Sequence, residues 1–193
     1  MDVSQSRPQT PRALALELAR HDWAAFRTFI GDASMVPAAV AALASAESSE
    51  QALAAYWRID NVVMVDGRLS EAVEPLTPSL LVAMDSAALP AYNTILDLLS
   101  AIAGGYEEHV DNQAVGRASV KTCVEMMASR LNIFIEELFA SGNASCVDIL
   151  LGCSIYVERT RGEVRDALTR ALSLRSSLGI RTHIEIAIDD LGQ

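Results

Sequence analysis

The sequence predicts an all-α fold in which helices pack as successive antiparallel pairs. Half of the 193 residues are apolar (51 %), mainly Ala, Leu, Val and Ile, whereas aromatic residues make up 5 %. Ala and Leu are strong helix formers, so this composition favours closely packed helices. The chain has only six prolines and ten glycines, and most of them stand where a helix is expected to begin or end.

The N-terminal part contains clear start and stop signals for helices. Residues 1–10 are polar and predict a flexible tail, so that residues 11–193 form a single helical domain. Thr10-Pro11 predicts the start of a first helix, and apolar residues at helical spacing extend it to Gly31. A second helix is predicted to start near Ser34, where Pro37 falls in its first turn.

The third helix, about Glu50 to Val65, is apolar nearly all round, which predicts that it lies between neighbouring helices. Asp60 shares one side of it with Tyr56 and Trp57. A carboxylate on an apolar side of a helix needs a hydrogen-bond partner. One interpretation is therefore structural: Asp60 accepts hydrogen bonds from Arg58, Arg68 or backbone N–H groups. In this interpretation Trp57 is a core residue. The alternative is that Tyr56, Trp57, Asp60 and Asn61 line a recognition groove.

The remaining helices follow from the same signals. Asp66-Gly67 ends the third helix, and Pro75 interrupts the next. Two further helices are predicted to start at Thr77-Pro78 and Leu89-Pro90. Four more are predicted to cover about 112–140, 143–156, 163–176 and 182–191. The last segment has isoleucines that alternate as in a strand, but a lone strand would have no partner, so a helix is expected. Helix pairs that recur roughly every forty residues are typical of an α-solenoid.

One segment of the chain resembles a known family. The run AAYWRIDNVVMVDGRLSEA (residues 54–72), followed by a Leu-rich stretch that ends in Gly104-Gly105, resembles a group of small bacterial HEAT-like repeat proteins. The similarity covers about residues 40–105. It implies a HEAT-like α-α superhelix that presents a binding surface. Many such proteins resemble immunity proteins encoded beside secreted antibacterial toxins, so the resemblance implies that the chain binds a toxin and occludes its active site or substrate surface.

The negative charge of the chain has two interpretations, a cationic protein partner or solubility alone. A formal net charge of −10 and a pI near 4.7 repel phosphate backbones, which argues against nucleic acid as the partner, and favour association with a basic surface such as a cationic toxin domain. Glu107, Glu108 and Asp111 follow the Gly104-Gly105 stop on a predicted connector, where repeat proteins often place recognition residues; the alternative is a solvated loop without a binding role. With Tyr56, Asp60 and Asn61, they are the candidate partner-binding residues. A scaffold or adaptor without a toxin partner is the alternative function.

Patterns that indicate catalysis or cofactor binding were not found in the sequence. His21, His109 and His183 are widely separated, and the three cysteines form no CxxC pair, so we expect neither a metal site nor a cofactor. Cys146 and Cys153 are seven residues apart and are expected to share a buried helix side. We therefore expect a binding protein rather than an enzyme. Without a signal peptide or a membrane-spanning segment in the sequence, the expected location is the cytoplasm.

Overall fold

A computed structural model describes residues 10–106 and 115–192, and these residues are mostly helical. The α-helices are α1 (Arg12–Leu18), α2 (Val36–Ala44), α3 (Ser49–Val63), α4 (Val73–Met84), α5 (Leu89–Ala103), α6 (Val120–Ala128), α7 (Leu131–Ser141), α8 (Ala144–Tyr156), α9 (Arg161–Ala171) and α10 (Arg181–Asp190). Short 3-10 helices cover Trp23–Ala25, Glu158–Thr160 and Arg175–Ile180. The all-α prediction is confirmed. The predicted tail, residues 1–10, lies outside the described residues except for Thr10.

Two small antiparallel hairpins interrupt the helical chain. In the first, β1 (Arg27–Thr28) pairs with β2 (Gly31–Asp32), and in the second, β3 (Met64–Val65) pairs with β4 (Arg68–Leu69). Asp66-Gly67 connects β3 to β4 with positive φ at both positions, 52° and 76°. This is the conformation of a type I′ turn, for which Asp-Gly is a preferred sequence.

The helices pack in two rows. The front row consists of α3, α5, α8 and α10, each in contact with the next, whereas α2, α4 and α6 form a second row behind α3, α5 and α8. Hydrogen bonds between successive pairs connect residues at similar separations: 48 residues for Ser145 to Asp97 and 45 residues for Arg130 to Asp85. Each helix pair therefore packs on the pair that follows it in the chain.

A continuous hydrophobic core lies between the two rows and extends from α1 to α10. Its fully buried side chains include Leu14, Leu43, Ile59, Leu98, Phe134, Leu168 and Ile184. Side-chain caps hold two helix starts: the side chains of Ser48 and Asn143 accept hydrogen bonds from the first turns of α3 and α8. Cys146 and Cys153 are buried as predicted.

The first predicted helix, to Gly31, is too long. Helix α1 ends at Leu18, where the indole N–H of Trp23 donates a 2.8 Å hydrogen bond to the carbonyl of Leu18. This bond occupies a carbonyl at the helix end, and the chain then continues through a 3-10 turn into the β1–β2 hairpin. Apolar spacing alone did not reveal the change of backbone.

The prediction that Pro75 interrupts a helix is also wrong. Helix α4 runs from Val73 through both Pro75 and Pro78. Pro75 falls in the first turn, where backbone N–H groups have no partner within the helix, so a missing N–H has little effect there. The hydroxyl groups of Thr77 and Ser79 donate to the carbonyls of Val73 and Pro75, at 2.8 and 2.9 Å, which satisfies these buried polar groups within the helix.

The helix predicted from Asn112 to Ala140 is interrupted. Within the described residues, α6 ends at Ala128 and α7 begins at Leu131. Arg130 occupies the break, and its guanidinium donates to the carbonyl of Leu81 and to the carboxylate of Asp85, each at 2.8 Å. These bonds hold the chain at the end of α4 and separate the two helices.

The C-terminal segment is helical, as predicted, from Arg181 to Asp190. Ile184 and Ala187 pack inward while Ile186 is exposed, which is helical rather than alternating burial. The helix predicted from Glu163 to Ser176 ends earlier, at Ala171, before the 3-10 segment Arg175–Ile180.

Candidate functional site

The outward side of α3 is more exposed than its sequence indicates. Leu53 and Trp57 are 53 % and 49 % exposed. The side of α3 that faces the core carries Ala52, Ala55, Ile59, Val62 and Val63. Helix α3 does lie between α2 and α5, but the expectation that Trp57 is a core residue is wrong. Large apolar residues lie on both sides of this helix, so a pattern of apolar positions alone does not reveal which side faces the core.

Tyr56 and Asp60 lie on the flank of α3 that faces α5. The Tyr56 hydroxyl donates to the Asp60 carboxylate at 3.3 Å, so Asp60 takes its partner from its own helix rather than from Arg58 or Arg68. The rings of Tyr56 and Trp57 meet edge to face with centroids 5.0 Å apart. Asn61 is exposed beside them. Of the candidate residues, Tyr56, Asp60 and Asn61 thus form a cluster on one side of one helix.

Burial changes the proton affinities of this pair. Burial raises the pKa of Asp60, and the hydrogen bond from Tyr56 partly opposes that increase. Burial also raises the pKa of Tyr56 to about 12, and the nearby carboxylates of Asp60 and Asp97 add to the increase. The negative charge of Asp60 is therefore poorly solvated. A cationic group placed beside it would stabilise the charged form.

Helices α5 and α8 continue this surface with further polar contacts. The Ser145 hydroxyl donates to Asp97 at 2.6 Å, and the Ser100 hydroxyl donates to Asp148 at 2.9 Å. Both pairs join residues 48 apart, so α5 and α8 run parallel. The imidazole Nε2 of His183 on α10 lies 2.7 Å from the other oxygen of Asp148. We call the outward side of α3, α5, α8 and α10 the front face.

The order of contacts among Ser100, Asp148 and His183 differs from that of a hydrolase triad. In a triad, histidine stands between the nucleophile and the carboxylate and takes the proton of the nucleophile. Here Asp148 stands between the other two residues and accepts from both sides. This arrangement fixes the Asp148 carboxylate and does not activate Ser100.

A cavity of about 580 Å³ opens on the front face between the C-terminal halves of α5 and α8. Its lining includes Ser100, Asp148 and the exposed rim residues Ile155 and Tyr156. Gly152 allows the two helices to approach closely, because a Cβ atom there would lie 3.2 Å from the Cβ of Ala103. This cavity was not predicted, although Asn93, Asp97 and Ser100 form a polar stripe at helical spacing on an otherwise apolar helix.

The remaining predicted residues and sites have different outcomes. Glu107, Glu108 and Asp111 lie outside the described residues. Residues 10–106 and 115–192 contain no group of His, Cys, Asp and Glu side chains arranged to hold a metal ion. In the same part of the chain, no helix has the length and apolar character needed to cross a bilayer.

Acidic and basic residues are unevenly distributed along the sequence, and the net charge alone does not show this. Residues 32–106 contain nine acidic and two basic side chains, whereas residues 158–181 contain six arginines and three acidic side chains. The front-row helices themselves carry a net negative charge at both ends of the row: α3 and α5 have one net negative charge each, and α10 has three acidic side chains and one arginine. This charge favours association with a basic partner.

Comparison with known proteins identifies no relative: no family model, curated protein or solved structure matches the chain.

Proposed function

We propose that this protein binds a basic protein partner through the front face, and that the partner is an antibacterial toxin domain which the protein neutralises by occluding its active site or substrate surface. The observation that carries the proposal is the exposed Leu53–Trp57 patch beside the carboxylates of Asp60 and Asp97. Tryptophan and tyrosine are enriched among the residues that dominate binding energy. The acidic side chains around them favour a cationic partner and speed its association.

We also infer that the helix pairs form a HEAT-like α-α superhelix. Two features support this inference: the order in which the pairs pack, and the similar separation of the residues that join them. In repeat architectures each unit contacts mainly its neighbours, and a row of equivalent helices presents an extended binding surface. The toxin assignment rests on the resemblance of residues 40–105 to small bacterial HEAT-like proteins.

The decisive experiment uses the neighbouring gene. If the next gene encodes a secreted protein that ends in a small toxin domain, that domain is expressed in a bacterial host with and without this chain. We expect this chain to restore growth, and the purified proteins to form a complex that calorimetry detects. Absence of both protection and a complex would refute the toxin assignment. A complex without protection would instead favour a scaffold or adaptor.

Two matched variants test whether the front face carries the interaction. Trp57→Ala removes the exposed aromatic side chain and should weaken the complex by at least about 30-fold, as expected of a residue that dominates binding. Leu178 is 67 % exposed on the 3-10 segment before α10, and Leu178→Ala serves as the control, with affinity unchanged within about twofold. Equal affinities of the two variants would exclude Trp57 from the interface.

The predicted connector has its own test. Glu107, Glu108 and Asp111 place three negative charges within five residues. Reversing all three to Lys should leave the melting temperature nearly unchanged, because the charges of a connector of the predicted kind contribute little to stability. It should slow association with a cationic toxin, most strongly at low salt. If the association rate is unchanged, the connector does not contribute to the interface.

A further inference from the structure

We propose that the cavity between α5 and α8 receives one arginine or lysine side chain of the bound basic protein; we call it the cation pocket. The inference rests on the proposed function and specifies how the front face recognises its partner. Among the residues that line the cavity, Asp148 is the one with a charged side chain. The lining therefore provides a negative charge and hydrogen-bond acceptors, and its charge complements a cation.

The Asp148 carboxylate is held in position and still has capacity to bind. One oxygen accepts from Ser100 at 2.9 Å and the other lies 2.7 Å from His183 Nε2. Each carboxylate oxygen can accept two hydrogen bonds, so one site on each oxygen remains for an incoming cation. The Ser100 oxygen also retains its lone pairs, because its proton is directed at Asp148. A guanidinium or ammonium group can therefore bind without displacing the existing contacts.

The ends of two helices reinforce the negative potential. Helix α5 ends at Ala103 and α8 ends at Tyr156, and both residues are at or beside the cavity. Because these helices run parallel, their C-terminal ends, each with a partial negative charge, lie on the same side of the molecule. A cation in the pocket interacts favourably with both ends. An anion would be repelled by the helix ends and by Asp148.

The shape of the cavity suits a long side chain with a charged end. Gly104, Gly105 and Gly152 contribute backbone to its lining. Ile155 and Tyr156 stand at the rim, 65 % and 39 % exposed. Apolar rim groups can cover the methylene stem of Lys or Arg while the charged group reaches the carboxylate. The Tyr156 ring can also stack with a guanidinium.

The pocket can be tested without any partner protein. The ¹⁵N-labelled protein is titrated with Nα-acetyl-arginine amide, and the amide signals of Gly104, Gly105 and Gly152 are followed by NMR. The citrulline analogue, which has nearly the same shape but no charge, is the control ligand. We expect saturable shifts for the arginine compound with Kd on the order of 10 mM, and none for the citrulline compound. Equal shifts with both compounds, or no saturation with arginine, would overturn the inference.

A pair of protein variants identifies the group responsible. Asp148→Asn removes the charge in the cavity and should weaken arginine binding at least about tenfold. Asp166→Asn removes an exposed carboxylate of α9 that lies outside the cavity lining, and it should leave binding within about twofold. If the Asp148 variant binds arginine as tightly as the wild type, the charge of Asp148 is not needed for binding, and the assignment is wrong.

The same variants separate this inference from the proposed function. In the complex with the toxin domain, Asp148→Asn should lower affinity at least about tenfold, whereas Asp166→Asn should leave it within about twofold. If Asp148→Asn leaves the affinity unchanged while Trp57→Ala weakens it, the partner binds the front face without a side chain in the pocket. That result would refute the cation pocket and leave the proposed function intact.

Discussion

The two tryptophans of this chain provide a direct test of how α3 is oriented. Trp57 is 49 % exposed on the front face, whereas Trp23 is 6 % exposed and donates its indole N–H to the carbonyl of Leu18. Both residues follow apolar helical patterns in the sequence, so the pattern alone predicts similar burial. We instead expect Trp57→Ala and Trp23→Ala to have clearly different effects on the free energy of unfolding.

The expected magnitudes follow from burial. A fully buried tryptophan covers up to ~250 Å², so half exposure leaves ~125 Å² buried, worth at most ~3 kcal/mol at ~25 cal/mol per Å². The unfolded chain already buries part of this surface, and alanine retains the Cβ atom, so the expected loss of stability for Trp57→Ala is about 1–2 kcal/mol. Trp23→Ala creates a cavity and should cost about 3–5 kcal/mol. Loss of the 2.8 Å hydrogen bond to Leu18 adds to that cost.

Urea denaturation followed by circular dichroism measures both values, and fluorescence provides an independent check. Because the chain has two tryptophans, each alanine variant leaves the other as the sole tryptophan, which is excited selectively at the red edge of its absorption band. Acrylamide should quench Trp57 much more than Trp23. If Trp57→Ala destabilises as much as Trp23→Ala, or if Trp57 resists quenching, then α3 does not present this side to solvent and the proposed interface is wrong.

Three further predictions concern stability and chemical reactivity. Gly142→Ala should destabilise the protein by more than about 1 kcal/mol, because Gly142 has φ +68° and an added Cβ would meet the carbonyl of Ser176. Gly162 has open space around it in α9, so Gly162→Ala should stabilise the protein by up to about 1 kcal/mol. Equal melting temperatures of the two variants would contradict this. Because burial raises the pKa of Asp60 above 3.8, its protonated form favours folding, and stability falls as pH rises from 3.8 through the raised value. Asp60→Asn should therefore be more stable than the wild type at pH 7 and equally stable below pH 3.8. If the two proteins differ in melting temperature by the same amount at both pH values, this prediction is refuted. The three buried thiols, with the pKa of Cys153 raised by burial to about 12, should react with a disulfide reagent only after denaturation, so rapid labelling of the native protein would disprove their burial.

Much of the fold was predictable because helix starts and stops have local causes. Ser48 and Asn143 are caps that hydrogen-bond within two or three residues, so their effect is visible in the sequence. The break at Arg130 depends on contacts with Leu81 and Asp85, nearly fifty residues away, which local patterns do not encode. The β3–β4 hairpin was an exception, since Asp66-Gly67 is itself a hairpin signal that was interpreted as a helix end.

The site was less predictable because it is formed by several helices. Sequence reasoning placed Tyr56, Asp60 and Asn61 together, since they belong to one helix. It could not place Asp148 beside Ser100, because that contact depends on which helices are neighbours in the front row. Trp57 is exposed because the core side of α3 is formed by other residues of the helix, among them Ile59, Val62 and Val63. Helical periodicity shows which residues share a side but not which side faces inward.

Radical footprinting of the complex is the most direct test of the central claim, that the front face binds the partner. Hydroxyl radicals oxidise exposed side chains, and mass spectrometry compares the protein alone with the protein bound to the toxin domain encoded beside it. We expect Trp57 and Tyr156 to become protected, while Met35 and Leu178, which are exposed and belong to none of the front-row helices, keep their reactivity. Protection of Met35 or Leu178 with Trp57 and Tyr156 still oxidised would contradict the account.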